Sequence, residues 1–190
     1  MTELLFENKT FEKVDFSIKK FAKAEYDNCT FIDCIFSNSD LSNCSFIECE
    51  FVTCNLSLSN LKNTSLKDVA FKGCKLLGIH FNNCDDFLLA MNFEKCYLNL
   101  TSFYKLKLKG MKFSDCKLIE VDFVETNLTN AVFNNCDLSD TTFEHTILKN
   151  ADFRNSYNYL IDPEINRIEK AKFSIDGLTG LLFKYKIVVE

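Results

Sequence analysis

Every fifth residue of the first half of this chain is large and apolar. From Phe6 the series runs Phe11, Phe16, Phe21, Tyr26, Phe31, Phe36, Leu41, Phe46, Phe51, Leu56, Leu61, Leu66, Phe71, Leu76 and Phe81 without an exception. A second frame, displaced by two, runs from Leu88 through Phe93, Leu98 and Phe103 to Leu148 and Phe153. Two places before these centres the residue is small or apolar, as in Ala24, Cys29, Cys34, Thr64, Val121 and Ala151. Two inward side chains separated by one outward residue are the pleat of a very short strand. Two places after the centre stand residues that tolerate turn geometry, among them Asn28, Asp33, Asn38, Asn43, Asn63, Gly73, Gly78, Asn83 and Asp115. Each five-residue unit therefore predicts one flat side and one corner, repeated as a solenoid.

Residue identity sets the number of sides. Phe and Leu alternate in the second frame, so a three-sided coil would stack Phe on Leu at every level, whereas two or four sides keep like on like. A two-sided coil encloses almost no interior, which leaves four sides. At roughly 4.8 Å per coil, about thirty units predict seven to eight coils and a rod on the order of 36 Å long. Of the 20 Phe, 18 occupy the central position, counting Phe173.

Two segments break the rhythm. The step from Phe81 to Leu88 is seven residues, so 82–87 is expected to hold two additional residues as a bulge. The alternative is a contact point made by Asp85, Asp86 and an exposed Phe87. After Asn155 an excursion containing Pro163 precedes one further unit, Ala171-Lys172-Phe173. Apolar residues at helical spacing then follow Asp176, a possible cap, and Ile187-Val188-Val189 reads as a strand. The chain thus divides into a solenoid over 1–157 and a segment over 158–190 that supplies a terminal coil and a helix and strand to close the open end.

Composition removes several function classes. The 190 residues are 47% hydrophobic, with no apolar run long enough to span a bilayer, and the Met1-Thr2-Glu3 start lacks the features of a secretory signal. A soluble cytoplasmic protein is expected. The net charge of −5 argues against direct gripping of nucleic acid and suits a basic partner. All ten cysteines fall on the small inward position, so their spacing comes from the repeat; structural filling is the reading, and a metal or disulfide the alternative. His80 and His145 are outward on different coils with no nucleophile placed beside them, and no nucleotide-binding motif occurs. A non-enzyme without cofactor or metal is expected.

Units such as Ala151-Asp152-Phe153-Arg154-Asn155, Cys136-Asp137-Leu138-Ser139-Asp140 and Thr126-Asn127-Leu128-Thr129-Asn130 resemble the pentapeptide-repeat family over about residues 4–157. The resemblance implies an all-β fold, a right-handed quadrilateral β-helix. The tail is similar to that of Qnr-like members, which implies a homodimer joined through Leu178, Leu181, Leu182, Tyr185, Ile187 and Val189; a monomeric cap is the alternative. Gyrase-protecting members imply a DNA-mimicking partner of a type II topoisomerase, gyrase or topoisomerase IV, with protection from quinolones. No long inserted loop interrupts the coils, unlike Qnr-like proteins of Gram-negative bacteria. An interaction scaffold for an unrelated protein, meeting it through the bulge or a lysine cluster, is the second hypothesis.

Charge marks the candidate surface. Residues 24–61 contain Glu25, Asp27, Asp33, Asp40, Glu48 and Glu50 without a Lys or Arg, and residues 118–148 contain Glu120, Asp122, Glu125, Asp137, Asp140 and Glu144, again without one. Between them lie Lys105, Lys107, Lys109, Lys112 and Lys117. With four sides, Glu7, Glu25, Asp27 and Glu48 share one side and Glu12, Asp33 and Glu50 the next. If the chain steps to the following side across the bulge, the C-terminal acidic set falls on the other two.

Overall fold

A computed structural model describes residues 4–188. The first side of the solenoid is a parallel sheet of Leu5–Glu7 (β1), Glu25–Asp27 (β3), Ser45–Ile47 (β5) and Ser65–Lys67 (β7). The second side holds Thr10–Glu12 (β2), Thr30–Ile32 (β4), Glu50–Val52 (β6), Val69–Lys72 (β8), Met91–Glu94 (β9), Lys112–Ser114 (β10) and Val132–Asn134 (β11) in one seven-stranded parallel sheet. Bridges alone mark the other walls: Asp15, Ile35, Asn55, Lys75, Tyr97, Lys117, Asp137 and Tyr157 on the third, and Asp40–Asn60, then His80, Ser102, Asp122 and Thr142, on the fourth. Partners lie 20 residues apart, as in Phe11↔Phe31 and Phe113↔Phe133, which gives the four-sided coil that the identity of the repeats predicts.

The core is built of rings and isobutyl groups stacked on their own kind. Phe11, Phe31, Phe51, Phe71, Phe93, Phe113, Phe133, Phe153 and Phe173 form one continuous column on the second side, with neighbouring ring centroids 4.7–5.4 Å apart and planes within 14°. Phe81, Phe103, Phe123 and Phe143 form another on the opposite wall and meet the first edge to face. Each such pair adds ~0.5–1.5 kcal/mol beyond the apolar area it buries. All 18 central Phe are buried or pack against the core, whereas Phe87 and Phe183 are exposed.

The corners use left-handed backbone. Asn28, Asp33, Asn43, Asn63 and Asp115 have φ between 48° and 57°, the region that Asn and Asp enter most readily among residues with a Cβ. Their side chains form ladders between coils, as Asn28 to Asn8 at 2.6 Å and Asn150 to Asn130 at 3.0 Å. Asn83 departs from the expected corner: it lies in a 3₁₀ turn, Phe81–Asn83. Leu58, Leu88 and Leu100 occupy left-handed corners that their residue type does not announce.

The two additional residues sit later than the seven-residue step suggests. Ser65 pairs with Asp85 at a separation of 20, whereas Val69 pairs with Met91 at 22, so the insertion lies within 86–90 rather than 82–87. Leu88 is therefore not an inward centre. It is 64% exposed, and Leu89 turns toward the core in its place. Asp86 falls where an inward centre belongs, and because an unpaired carboxylate is costly to bury it stays exposed and the wall bulges.

At the far end, residues 158–166 depart from the repeat between Tyr157 on the third side and Arg167 on the first. Tyr159 and Ile161 turn inward, and buried Asn166 donates to the carbonyls of Phe143 and Asp162 while accepting from the Thr146 amide. The tail is two short 3₁₀ turns flanking a helix, Thr179–Leu182 (α1). Asp176 opens the first turn, which has no side-chain cap. The expected strand does not form over 187–188: Ile187 and Val188 follow left-handed Lys186 and have no regular structure, and Val189 lies outside the described residues.

Candidate interaction surfaces

The inward position two places before each centre has a function its size alone does not reveal. Cys34, Cys54, Cys74, Cys96, Cys116 and Cys136 stack in one column, each thiol donating to the carbonyl of a Phe one coil earlier at 3.3–3.6 Å. Thr64, Thr126 and Thr146 donate in the same way at 2.8 Å. Burial pushes the Cys49 and Cys84 thiols up to about 12 and keeps both protonated, and Cys49 donates to the Tyr26 carbonyl at 3.2 Å. The ten cysteines are free and buried. Among the described residues no group of three or more His, Cys, Asp or Glu is placed to hold a metal ion.

With the interior filled, chemistry is left to the walls. Apart from Asp40, which bridges to Asn60 on the fourth side and lies 2.8 Å from Lys23, the N-terminal acidic set is gathered on two adjacent sides. Glu25 and Asp27 belong to β3, with Glu48 at the corner after β5; Asp33 follows β4 and Glu50 opens β6. Lys72 pairs with Glu50, and the Thr53 hydroxyl donates to Asp33. No ion pair to Glu25, Asp27 or Glu48 is found among the described residues.

The C-terminal set lies on the other two sides. Asp137 and Asp140 belong to the third wall; Asp122, Glu144 and the corner residue Glu125 belong to the fourth. Asp122, Glu125 and Asp137 have partners. Ser102 donates to Asp122 at 2.8 Å, and Lys105 lies 3.5 Å from Glu125. Asp137 is held below the usual carboxylate range: partial burial opposes this, and hydrogen bonds from Ser139 and Asn158 outweigh it. The two acidic sets therefore form no single stripe. Asp85 continues the first side, paired with Ser65, and Asp86 opens the bulge beside exposed Phe87, whose ring has the Lys67 ammonium 5.7 Å from its centroid.

His80 and His145 are exposed on separate coils. A concavity of about 600 Å³ lies between the last coil and the tail, lined by Tyr157, Tyr159, Ser174 and Gly177 among others. Tail residues Leu178, Leu182, Tyr185 and Ile187 are 36–56% exposed, whereas Leu181 packs against the core and serves the cap. Among the described residues no helix is long and apolar enough to cross a membrane.

A family model described as a pentapeptide repeat region matches residues 24–87 and 78–153. The fold is similar to two structures of trypsin-treated QnrB1, described as a plasmid-mediated fluoroquinolone resistance protein. One aligns at a TM-score of 0.63 with 18% identity, covering 99% of this chain and 98% of that one. The other aligns at 0.62 with 17% identity, over the whole of both chains. No curated protein matches by sequence.

Proposed function

Because the chain belongs to the pentapeptide-repeat family, whose architecture leaves function to its outer walls, we propose that it binds a protein with a basic groove, a type II topoisomerase, through the acidic walls of its N-terminal half and shields it from quinolones. One observation carries this reading. Glu25, Asp27, Asp33, Glu48 and Glu50 line two adjacent walls over consecutive coils, in a stretch without Lys or Arg. Carboxylates repeating along a stiff rod present charge at fixed spacing, which a groove shaped for duplex nucleic acid selects by shape and sign. The fold likeness to a fluoroquinolone resistance protein supports the choice of partner.

The test is supercoiling by purified gyrase and topoisomerase IV, with and without a fluoroquinolone, across a titration of the protein. Restored supercoiling is expected, with binding that excludes DNA. A triple reversal, Glu25→Lys, Asp27→Lys and Glu48→Lys, is expected to remove the effect while the protein stays folded. Neither rescue nor inhibition at any concentration would sink the proposal.

The tail supplies a second element of the reading, a two-fold dimer through Leu178, Leu182, Tyr185 and Ile187, which are exposed apolar groups at the end of the rod. Strand pairing with a second copy would supply the edge that Ile187 and Val188 lack in one chain. At 0.5 M salt, Leu182→Asp is expected to reduce the sedimenting mass to that of the monomer, and an unchanged mass would refute this contact.

A further inference from the structure

The first side reverses the sign of its charge at the bulge. Its rungs run through Leu5, Glu25, Ser45 and Ser65 to Asp85, and resume at Lys107, Asn127, Ile147 and Arg167. Asp85 is thus the middle rung, with four on either hand. The early rungs carry Glu7, Glu25, Asp27 and the corner Glu48; the late ones carry Lys107, Lys109, Lys149 and Arg167. At the middle rung Phe87 and Leu88 are 65% and 64% exposed. Leu88 is held at φ 57°, a conformation that a Leu adopts at a cost.

A wall that is acidic at one end and basic at the other, with exposed Phe87 and Leu88 beside Asp85 and Asp86 at its midpoint, is largely complementary to itself when turned end for end. We propose that a second copy of this chain lies against the first side, antiparallel, about a two-fold axis beside Phe87. In that arrangement Phe87 and Leu88 meet their own counterparts. Glu25 and Asp27, one rung in from the outermost, face Lys149, and Glu7 on the outermost rung faces Arg167. Every contact occurs twice, as an isologous interface requires. Asp85 and Asp86 meet their own counterparts at the axis, with the Lys67 ammonium beside Phe87 to offset them; Lys67 and Glu169 also run against the pattern, Lys67 meeting Lys107 and Lys109 with Asp68 beside it. The buried apolar centre supplies affinity, and the charged flanks fix register and direction. The proposal competes with the topoisomerase reading for this wall, since it covers Glu25 and Asp27, and it is separate from the tail contact, which joins rods at their ends and keeps the two Phe87 residues far apart.

Because the ten native cysteines are buried, Phe87→Cys introduces a singly accessible thiol next to the axis. Mild oxidation at low salt is expected to give a covalent dimer quickly, while Val132→Cys, on the second side, stays uncross-linked. Leu182→Asp in the same chain is expected to leave the cross-link intact. Salt at 0.5 M, or Lys149→Glu, is expected to slow cross-linking about tenfold, and Glu25→Lys combined with Lys149→Glu to restore it. Cross-linking at 87 no faster than at 132, insensitivity to salt, or failure of the combined reversal to recover the rate would each overturn the proposal. Thermal melting of every variant confirms that the wall is still folded.

Discussion

Replacing Thr126 by Val distinguishes a hydrogen-bonding role from simple filling at the inward small position. Thr126 is fully buried, and its hydroxyl donates to the Phe103 carbonyl at 2.8 Å. Val has nearly the same shape and no donor. The carbonyl also accepts from the Leu106 amide at 3.1 Å, so it is not orphaned when the hydroxyl is lost. The cost is then that of one net hydrogen bond, about 1 kcal/mol, rather than the larger penalty of an unsatisfied buried acceptor. For a chain of this size 1 kcal/mol corresponds to roughly 2–4 °C in Tm. Thr126→Cys keeps a weak donor of the kind used at Cys116 and Cys136 and should lie within about 0.5 kcal/mol of the wild type. Urea denaturation followed by far-UV circular dichroism reads both, with the m value unchanged. A Val variant as stable as the wild type would refute the reasoning, because the position would then select for volume alone.

The other predictions concern the ring column and the tail. Phe113→Ala removes a fully buried ring stacked between Phe93 and Phe133 and should destabilise by about 3–5 kcal/mol; a loss below about 1.5 kcal/mol would mean that the column closes over the gap. Lys184 lies 2.8 Å from Asp162 and 2.6 Å from Glu164, and this contact holds both carboxyls below their ordinary range. Their folded pKa values are depressed, so the stabilisation is present above the unfolded values near 4 and is lost as pH falls through the folded ones. Amides of 176–186 should therefore exchange faster at pH 3 than at pH 7 once intrinsic rates are corrected, and unchanged protection would contradict this.

Much of the fold is legible because the repeat is short and the constraint severe. Phe over Phe at a separation of 20 residues follows from ring packing, and it predicts the four walls before any coordinate. The same arithmetic places Asp122, Glu125 and Asp137 on the walls away from Glu25 and Glu50. Three features were not legible, each for a physical reason. Corner geometry is imposed by the ladders on either side, so Leu58 and Leu100 adopt it without the residue type that favours it. Within 82–90 both Leu88 and Leu89 suit an inward position, and the choice is made by backbone pairing of Asp85 with Ser65 and of Met91 with Val69. The inward thiols look like small apolar filler in sequence, because the carbonyls they satisfy come from 23 residues earlier. The sign reversal along the first wall emerges only when the rungs are put in order.

The square cross-section makes the gene's length and the protein's orientation separable. Removing one full circuit of twenty residues would shorten the rod by a single layer and leave every later side chain pointing as before. Removing one five-residue unit would rotate everything downstream by a quarter turn, and so exchange which wall each distant charge adorns. The two residues inserted within 86–90 do neither, because the bulge absorbs them locally and the phase of the coil carries through. A molecule built this way can be re-aimed by small in-frame deletions without altering a single surface residue.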